Sequence, residues 1–399
     1  MRSLKLVSAA ASFAICLVVT ACTGMAARPS GVPLDPIVSA VDVHTRVAQR
    51  GTIVESTKTD DFSDTLRRSS SSAFRAVYRS TSGTTGGPSE VAGVFFLPVG
   101  PAPAGGWPVI AFAHGTTGLA NGCGISHSSN LRGYDGLVAS LLSRGYAVAA
   151  TDYEGLNAQG SHAYLDRQSE GFNVIDSVRA LQHLSAKVSP RWAGYGESQG
   201  GQAVWAANEL SAAYGVGLDL VGTVALSPAT NVTALTQLAE NGDLSASQQV
   251  IFPLVLTGAS RIDPTFTASA VIPGVDQSEW DDLLGCDNET RVRTAKELRV
   301  DEAVTLDAHT SAQLDHILQR QALPQSPLDA PMLVLNGDAD DLVRPEWVQY
   351  SVEQSCALGG PSIEHHVIAG GGHGNLGHED QSLAWLDARF VGQPMTSTC

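Results

Sequence analysis

The sequence predicts an α/β protein with a mostly parallel central sheet and an inserted, mainly helical segment. Three observations carry this. Short apolar runs of strand length alternate with helical-period segments through the middle of the chain, as in a parallel sheet covered on both faces. After Pro228 that rhythm stops for about a hundred residues that hold helical pieces but no clear buried strand. A Gly-x-Ser-x-Gly spacing, Gly196, Ser198 and Gly200, lies where a strand-like run passes into a helical one.

The elements follow in order. Residues 1–21 read as a signal peptide, with Arg2 and Lys5 ahead of an apolar stretch from Leu6 to Ala21 that is shorter than the ~20 residues of a spanning helix. The stretch ends Val19-Thr20-Ala21-Cys22, which resembles the lipobox of bacterial lipoproteins, where the cysteine becomes the first mature residue and carries lipid. Cys22 is then a lipid attachment site; an ordinary signal peptide that contains a cysteine is the alternative. Residues 22–60, rich in Gly, Pro and polar side chains, read as a tether and a lead-in segment, and Ser69–Ser72 as loop. Phe74–Arg79 and Val91–Leu97 read as strands broken by Gly83, Gly86, Gly87 and Pro88, and Val109–Ala113 as a short buried strand.

Alternation then sets in. Leu131–Arg144 reads as a helix, Tyr146–Ala150 as a strand, and Glu170–Ser185 as a helix with Phe172, Ile175, Val178, Leu181 and Leu184 on one stripe. Trp192–Tyr195, Gln199–Ala213 and Leu218–Leu226 continue as strand, helix and strand. Residues 229–330 form the insertion, or cap, so the core comprises 61–228 and 331–399. In its second part Met332–Leu335 and Ile363–Ile368 read as strands, and Trp347–Cys356 and Glu379–Phe390 as helices. No internal repeat is visible.

Composition narrows the function. Of 399 residues 43% are apolar and 16% charged, a globular balance. Lys and Arg number 24 against 40 Asp and Glu, a net charge of −16, which argues against nucleic acid and against anionic headgroups, since phosphate contacts need clustered cations. Of six cysteines, Cys16 leaves with the signal and Cys22 is acylated on the lipobox reading. Cys123, Cys286, Cys356 and Cys399 remain, an even number that suggests two disulfides in an oxidising compartment, with three pairings open. No Cys-x-x-Cys occurs, so a zinc ribbon or redox motif is not expected.

The motifs point to nucleophilic catalysis. Gly-x-Ser-x-Gly alone is weak evidence in a chain with 40 glycines. Its place between strand and helix makes it a nucleophile elbow, in which small neighbours allow a sharp turn at Ser198. A serine hydroxyl is a poor nucleophile without a base, and in this topology the acid and then the histidine follow in sequence. Asn336-Gly337-Asp338-Ala339-Asp340-Asp341 offers three carboxylates; the Gly-x-x-Asp spacing ahead of Leu342, Val343 and Pro345 favours Asp340 over Asp338 and Asp341. Paired acids could suggest calcium, but a full ligand set does not line up. Gly370-Gly371-Gly372-His373-Gly374-Asn375 puts His373 on a glycine-rich loop after the last strand; His378 is the runner-up, while His365 and His366 lie within the strand. His114-Gly115-Thr116-Thr117-Gly118 reads as an oxyanion loop, with Thr116 and Gln199 donating backbone N–H groups, Thr117 as alternative, and His114 as a brace.

Together Ala113–Gly118, Ala150–Leu156, Glu197–Gly201 and Leu226–Thr230 resemble the secretory lipase family of the α/β-hydrolase fold, the lipase A type, and more closely its actinobacterial members. The resemblance covers roughly residues 70–395. It implies a triad of Ser198, Asp340 and His373, a cap that shapes an acyl-binding tunnel, and a disulfide from the oxyanion-loop region to the cap at Cys123 and Cys286, which leaves Cys356 with Cys399. Glu197 departs from the His, Tyr or small residue of many hydrolases. The Asn231 and Asn288 sequons are expected to stay bare in a bacterial lipoprotein. The expected protein is a monomeric, extracytoplasmic serine ester hydrolase, lipid-anchored or released, that acts on lipid or other small esters of medium to long acyl chain and needs no cofactor or metal. A serine aminopeptidase or acyltransferase on the same scaffold, and an inactive surface binding lipoprotein, are the alternatives.

Overall fold

The computed structural model describes residues 43–374 and 376–399. The expected signal peptide, Cys16, Cys22 and the first part of the expected tether lie outside the described residues, as does Asn375. Nine strands form one sheet: β1 (Ile53–Lys58), β2 (Ser70–Thr81), β3 (Pro88–Pro98), β4 (Trp107–Ala113), β5 (Ala147–Thr151), β6 (Val188–Glu197), β7 (Asp219–Leu226), β8 (Met332–Gly337) and β9 (Ile363–Ile368). Their order is β1-β2-β3-β5-β4-β6-β7-β8-β9. The pairings β1/β2, β2/β3 and β3/β5 are antiparallel, and every later pairing is parallel.

The middle strands show why the pattern reads as continuous apolar runs. All five residues of β5 and all six of β8 are buried, because helices cover both faces. One face holds Phe172, Trp192, Trp205 and Val334; the other holds Phe96, Phe112, Val138 and Leu386. The helix Arg167–Leu184 starts at an Asp166 N-cap whose carboxylate accepts Ser169 N–H, earlier than its apolar stripe suggests. Its first fifteen residues are buried, polar ones included.

Three expectations need correction. Ser69–Ser72 is not a loop: Asp64–Ser69 is a helix and Ser70 begins β2, whose pairing with β3 overrides the weak strand propensity of serine. The lead-in segment contains β1, an edge strand with five exposed residues of six, which leaves no alternation to detect. The helix at Leu131–Arg144 is broken by Arg132 at φ 53°, so the α-helical part is Asp135–Ser143.

Between β7 and β8 lie only helices among the regular elements. The longest, Ala246–Ile262 and Ala308–Gln321, bury Phe252, Leu254, Leu256, Leu314 and Ile317 against the same side as Trp205. Disulfides join Cys123 to Cys286 and Cys356 to Cys399. No helix among the described residues is long and apolar enough to cross a membrane.

Candidate active site

Parallel strands bring their carboxyl ends to one edge, and the loops that follow β4, β6, β8 and β9 meet there. Ser198 sits between the end of β6 and the helix Gln199–Tyr214, at φ 56° and ψ −117°. A positive φ on a side-chain-bearing residue costs on the order of 1–3 kcal/mol and persists only where the surroundings impose it. Here the Ser198 N–H donates to the Leu226 carbonyl at 2.8 Å, while its own carbonyl accepts from Gln202 and Ala229, both at 3.1 Å. A Cβ on Gly196 would lie 2.1 Å from the Gly200 carbonyl oxygen, and one on Gly200 would lie 1.9 Å from that of Ala113. The glycines of the motif are therefore required by contact, with no room for even a methyl group.

Distant loops supply the partners. The Ser198 hydroxyl donates to His373 Nε2 at 2.8 Å, and His373 Nδ1–H donates to Asp340 Oδ2 at 2.8 Å. Asp340 is 3% exposed, and its Oδ1 accepts Leu342 and Val343 N–H groups, each at 3.0 Å. Such a chain can move a proton from oxygen to nitrogen while the carboxylate holds the imidazole in one tautomer. The other candidates stand apart. Asp338 accepts from Gly370 N–H at 2.6 Å, and Asp341 accepts from the Ser247 hydroxyl at 3.3 Å. His378 bonds the Leu376 carbonyl, His365 pairs with Asn336 at 2.7 Å, and His366 with Glu364 at 3.0 Å. Glu197 packs against the His373 loop, since a Cβ on Gly374 would fall 2.4 Å from its Oε1. Burial pushes the Glu197 carboxyl up, and the neighbouring His373 imidazole draws it back down.

Ala113 pairs with Gly196, which sets the His114–Gly118 loop directly beside the serine. Among the described residues the Thr116 and Gln199 backbone N–H groups meet no protein acceptor. His114 is fully buried, donates from Nδ1 to the Gly115 carbonyl at 2.6 Å, and burial lowers its pKa, consistent with a neutral brace. Side chains the sequence reading missed hold this loop. Tyr134 OH accepts from Gly115 N–H at 3.0 Å, and Tyr164 OH meets the Thr116 hydroxyl at 2.7 Å. Arg291, 3% exposed, donates to the Gly285 carbonyl at 2.6 Å and the Thr117 carbonyl at 3.4 Å, beside the Cys123–Cys286 bridge. No motif spacing links these residues to the loop, so nothing in the sequence marked them.

The insertion also grips the acid loop. Ser245, the N-cap of Ala246–Ile262, donates to the Asp341 carbonyl at 2.8 Å, and Gln248 donates to that of Leu342 at 3.2 Å.

Residues 128–398 match the sequence profile of the secretory lipase family. The chain belongs to that family. It is 26% identical over 291 residues to Lipase 10 of Candida albicans, 66% of this chain and 59% of that protein, so it spans about three-fifths of this relative's length. A probable inactive lipase of Mycobacterium tuberculosis is 23% identical over 349 residues, covering 81% of this chain and 75% of the relative. The fold is similar to that of Candida antarctica lipase A, solved in its closed state, with a TM-score of 0.72 at 20% identity, covering 87% of this chain and 84% of that one. The family member described here thus has an α/β-hydrolase fold.

Proposed function

We propose that this secretory lipase family member is a serine ester hydrolase working through an acyl-enzyme on Ser198. The observation that carries the reading is the unbroken hydrogen-bonded path from Ser198 through His373 to Asp340, 2.8 Å at each step. Ser198 Oγ attacks the ester carbonyl as His373 Nε2 takes its proton, and Asp340 stabilises the resulting imidazolium. The carbonyl oxygen becomes an oxyanion that the Thr116 and Gln199 N–H groups meet. His373 then protonates the leaving alcohol as the carbon–oxygen bond breaks. Water, deprotonated by His373, releases the acid and restores Ser198. An oxyanion donor of this kind contributes about 2.7–4 kcal/mol in measured cases.

Residues 229–330 act as the cap of the proposed site. Val232, Val255, Ala259, Ile262 and Leu318 form an apolar wall with Leu165 and Ala229, next to the nucleophile helix. The two disulfides fit an extracytoplasmic enzyme, and the Cys22 segment supports a lipid-anchored member of the actinobacterial branch, to which the M. tuberculosis relative also points.

That relative's name also raises a second reading, an inactive family member. One experiment separates the two: a fluorophosphonate should label the folded protein at Ser198 and fail to label Ser198→Ala. Folded wild-type protein that takes no label sinks the hydrolase reading. Rates on a soluble short-chain ester and on emulsified triglyceride then rank the substrates.

A further inference from the structure

Beneath the proposed oxyanion donor lies a buried polar cluster that the mechanism above leaves unused. Gln199 follows the serine, and its side chain is almost fully enclosed, at 1% exposure. Its amide nitrogen donates twice, to Glu170 Oε1 at 2.7 Å and to His162 Nε2 at 2.8 Å. The ring can accept at Nε2 because Nδ1–H is committed to the Glu154 carbonyl at 3.0 Å. Burial holds His162 neutral, with its pKa pushed down to about 3. Glu170, at 0% exposure, also receives the Leu165 N–H at 3.0 Å, and burial drives its carboxyl well above the usual range. From the helical insertion, Arg261 donates to the His162 carbonyl at 2.7 Å.

An acid and an imidazole enclosed together are a costly way to fill a core that leucine could fill. Both converge on the one side chain attached to the residue whose backbone N–H faces the developing charge. We infer that Glu170 and His162 are positioning residues: by gripping the Gln199 amide from two sides they fix the Ser198–Gln199 peptide plane, and with it the direction of the oxyanion donor. The inference rests on the reading of Ser198 as nucleophile. The oxyanion exists only after attack, so a misdirected donor lowers kcat and leaves substrate binding alone.

The test is steady-state kinetics on a soluble ester, with fluorophosphonate labelling in parallel. Glu170→Leu removes the acceptor; kcat should fall about 10- to 100-fold while KM stays within about twofold. Glu170→Gln keeps an acceptor oxygen and should recover kcat to within about threefold of wild type. Gln199→Met releases the grip from the other end, and Glu170→Leu combined with it should be no slower than the slower single variant. If Glu170→Leu does not fold, the Gln199→Met and Glu170→Gln pair carries the same comparison. The inference is overturned by a folded Glu170→Leu or Gln199→Met with wild-type kcat, by a loss confined to KM, or by a Glu170→Gln as slow as the leucine variant. Labelling of Ser198 in wild type separates these failures from failure of the hydrolase reading; an unlabelled wild type removes both.

Discussion

The two sides of Ser198 are held in place by different physics. On the Gly196–Gly201 side backbone rests on backbone, and the Gly200 Cα lies too close to the Ala113 carbonyl for any side chain. On the His114–Gly118 side position comes from side chains brought from afar: Tyr134, Tyr164, Arg291 and the Cys123–Cys286 bridge. At its glycines the first arrangement is steric and local, and on that side the Gln199 side chain reaches out to Glu170 and His162. The second is a polar assembly that works only while every remote partner stays docked. Position around the serine can thus be obtained by excluding atoms, as at Gly196 and Gly200, or by recruiting them, as along the His114–Gly118 loop and at Gln199.

The contrast can be broken most completely from the steric side. Gly200→Ala puts a methyl 1.9 Å from a backbone oxygen with no flexible atom to yield. Either no folded protein forms or Ser198 labelling slows by about 1000-fold or more; labelling at the wild-type rate would falsify the steric account. The recruited side should give way more gradually. Replacing Cys123 and Cys286 by serine opens a link across 163 residues, against 43 for Cys356 and Cys399. Chain entropy sets upper limits of about 5 and about 4 kcal/mol for the two losses, measurable by denaturant titration in non-reducing buffer. Only the first pair touches the His114–Gly118 loop, the proposed oxyanion loop, so it alone should also lower kcat, by about tenfold. Equal kcat in the two double variants would mean that the loop does not depend on the bridge.

The smallest effect sharpens the comparison through pH. The glycine contacts have nothing to titrate, whereas Glu154, whose carbonyl anchors His162, has its carboxyl pushed by burial from 4.5 up to about 7. Between those values the folded chain keeps a proton that the unfolded chain has released, so this contribution is full at low pH and declines as pH rises towards 7. From pH 5 to pH 8 wild type should lose on the order of 1–3 kcal/mol more stability than Glu154→Gln. Parallel stability curves for the two proteins would show that Glu154 does not titrate in this way.

Legibility in the sequence follows the same division. Gly196, Ser198 and Gly200 stand out because steric demand fixes residue type at fixed spacing, and β5 and β8 stand out because burial on both faces makes them wholly apolar. Asp340 could be separated from Asp338 and Asp341 only by its distance from Gly337, and His373 from His378 only by its glycine setting. Glu170 and His162 gave no signal at all. A buried acid reads in one dimension like a solvated one, and the helix that carries Glu170 buries fifteen consecutive residues, so no stripe sets it apart. β1 was hidden for the opposite reason, since an exposed edge strand has no buried face to alternate with.

The helix Ala246–Ile262 behaves like a beam on two piers, one at the Asp341–Leu342 carbonyls and the other, through Arg261, at His162. Heat or solvent that dislodges this beam undermines both flanks of the serine together. Inactivation should therefore be abrupt, ahead of the melting of the sheet, with no stage at which a weakened enzyme turns over slowly on one surviving support.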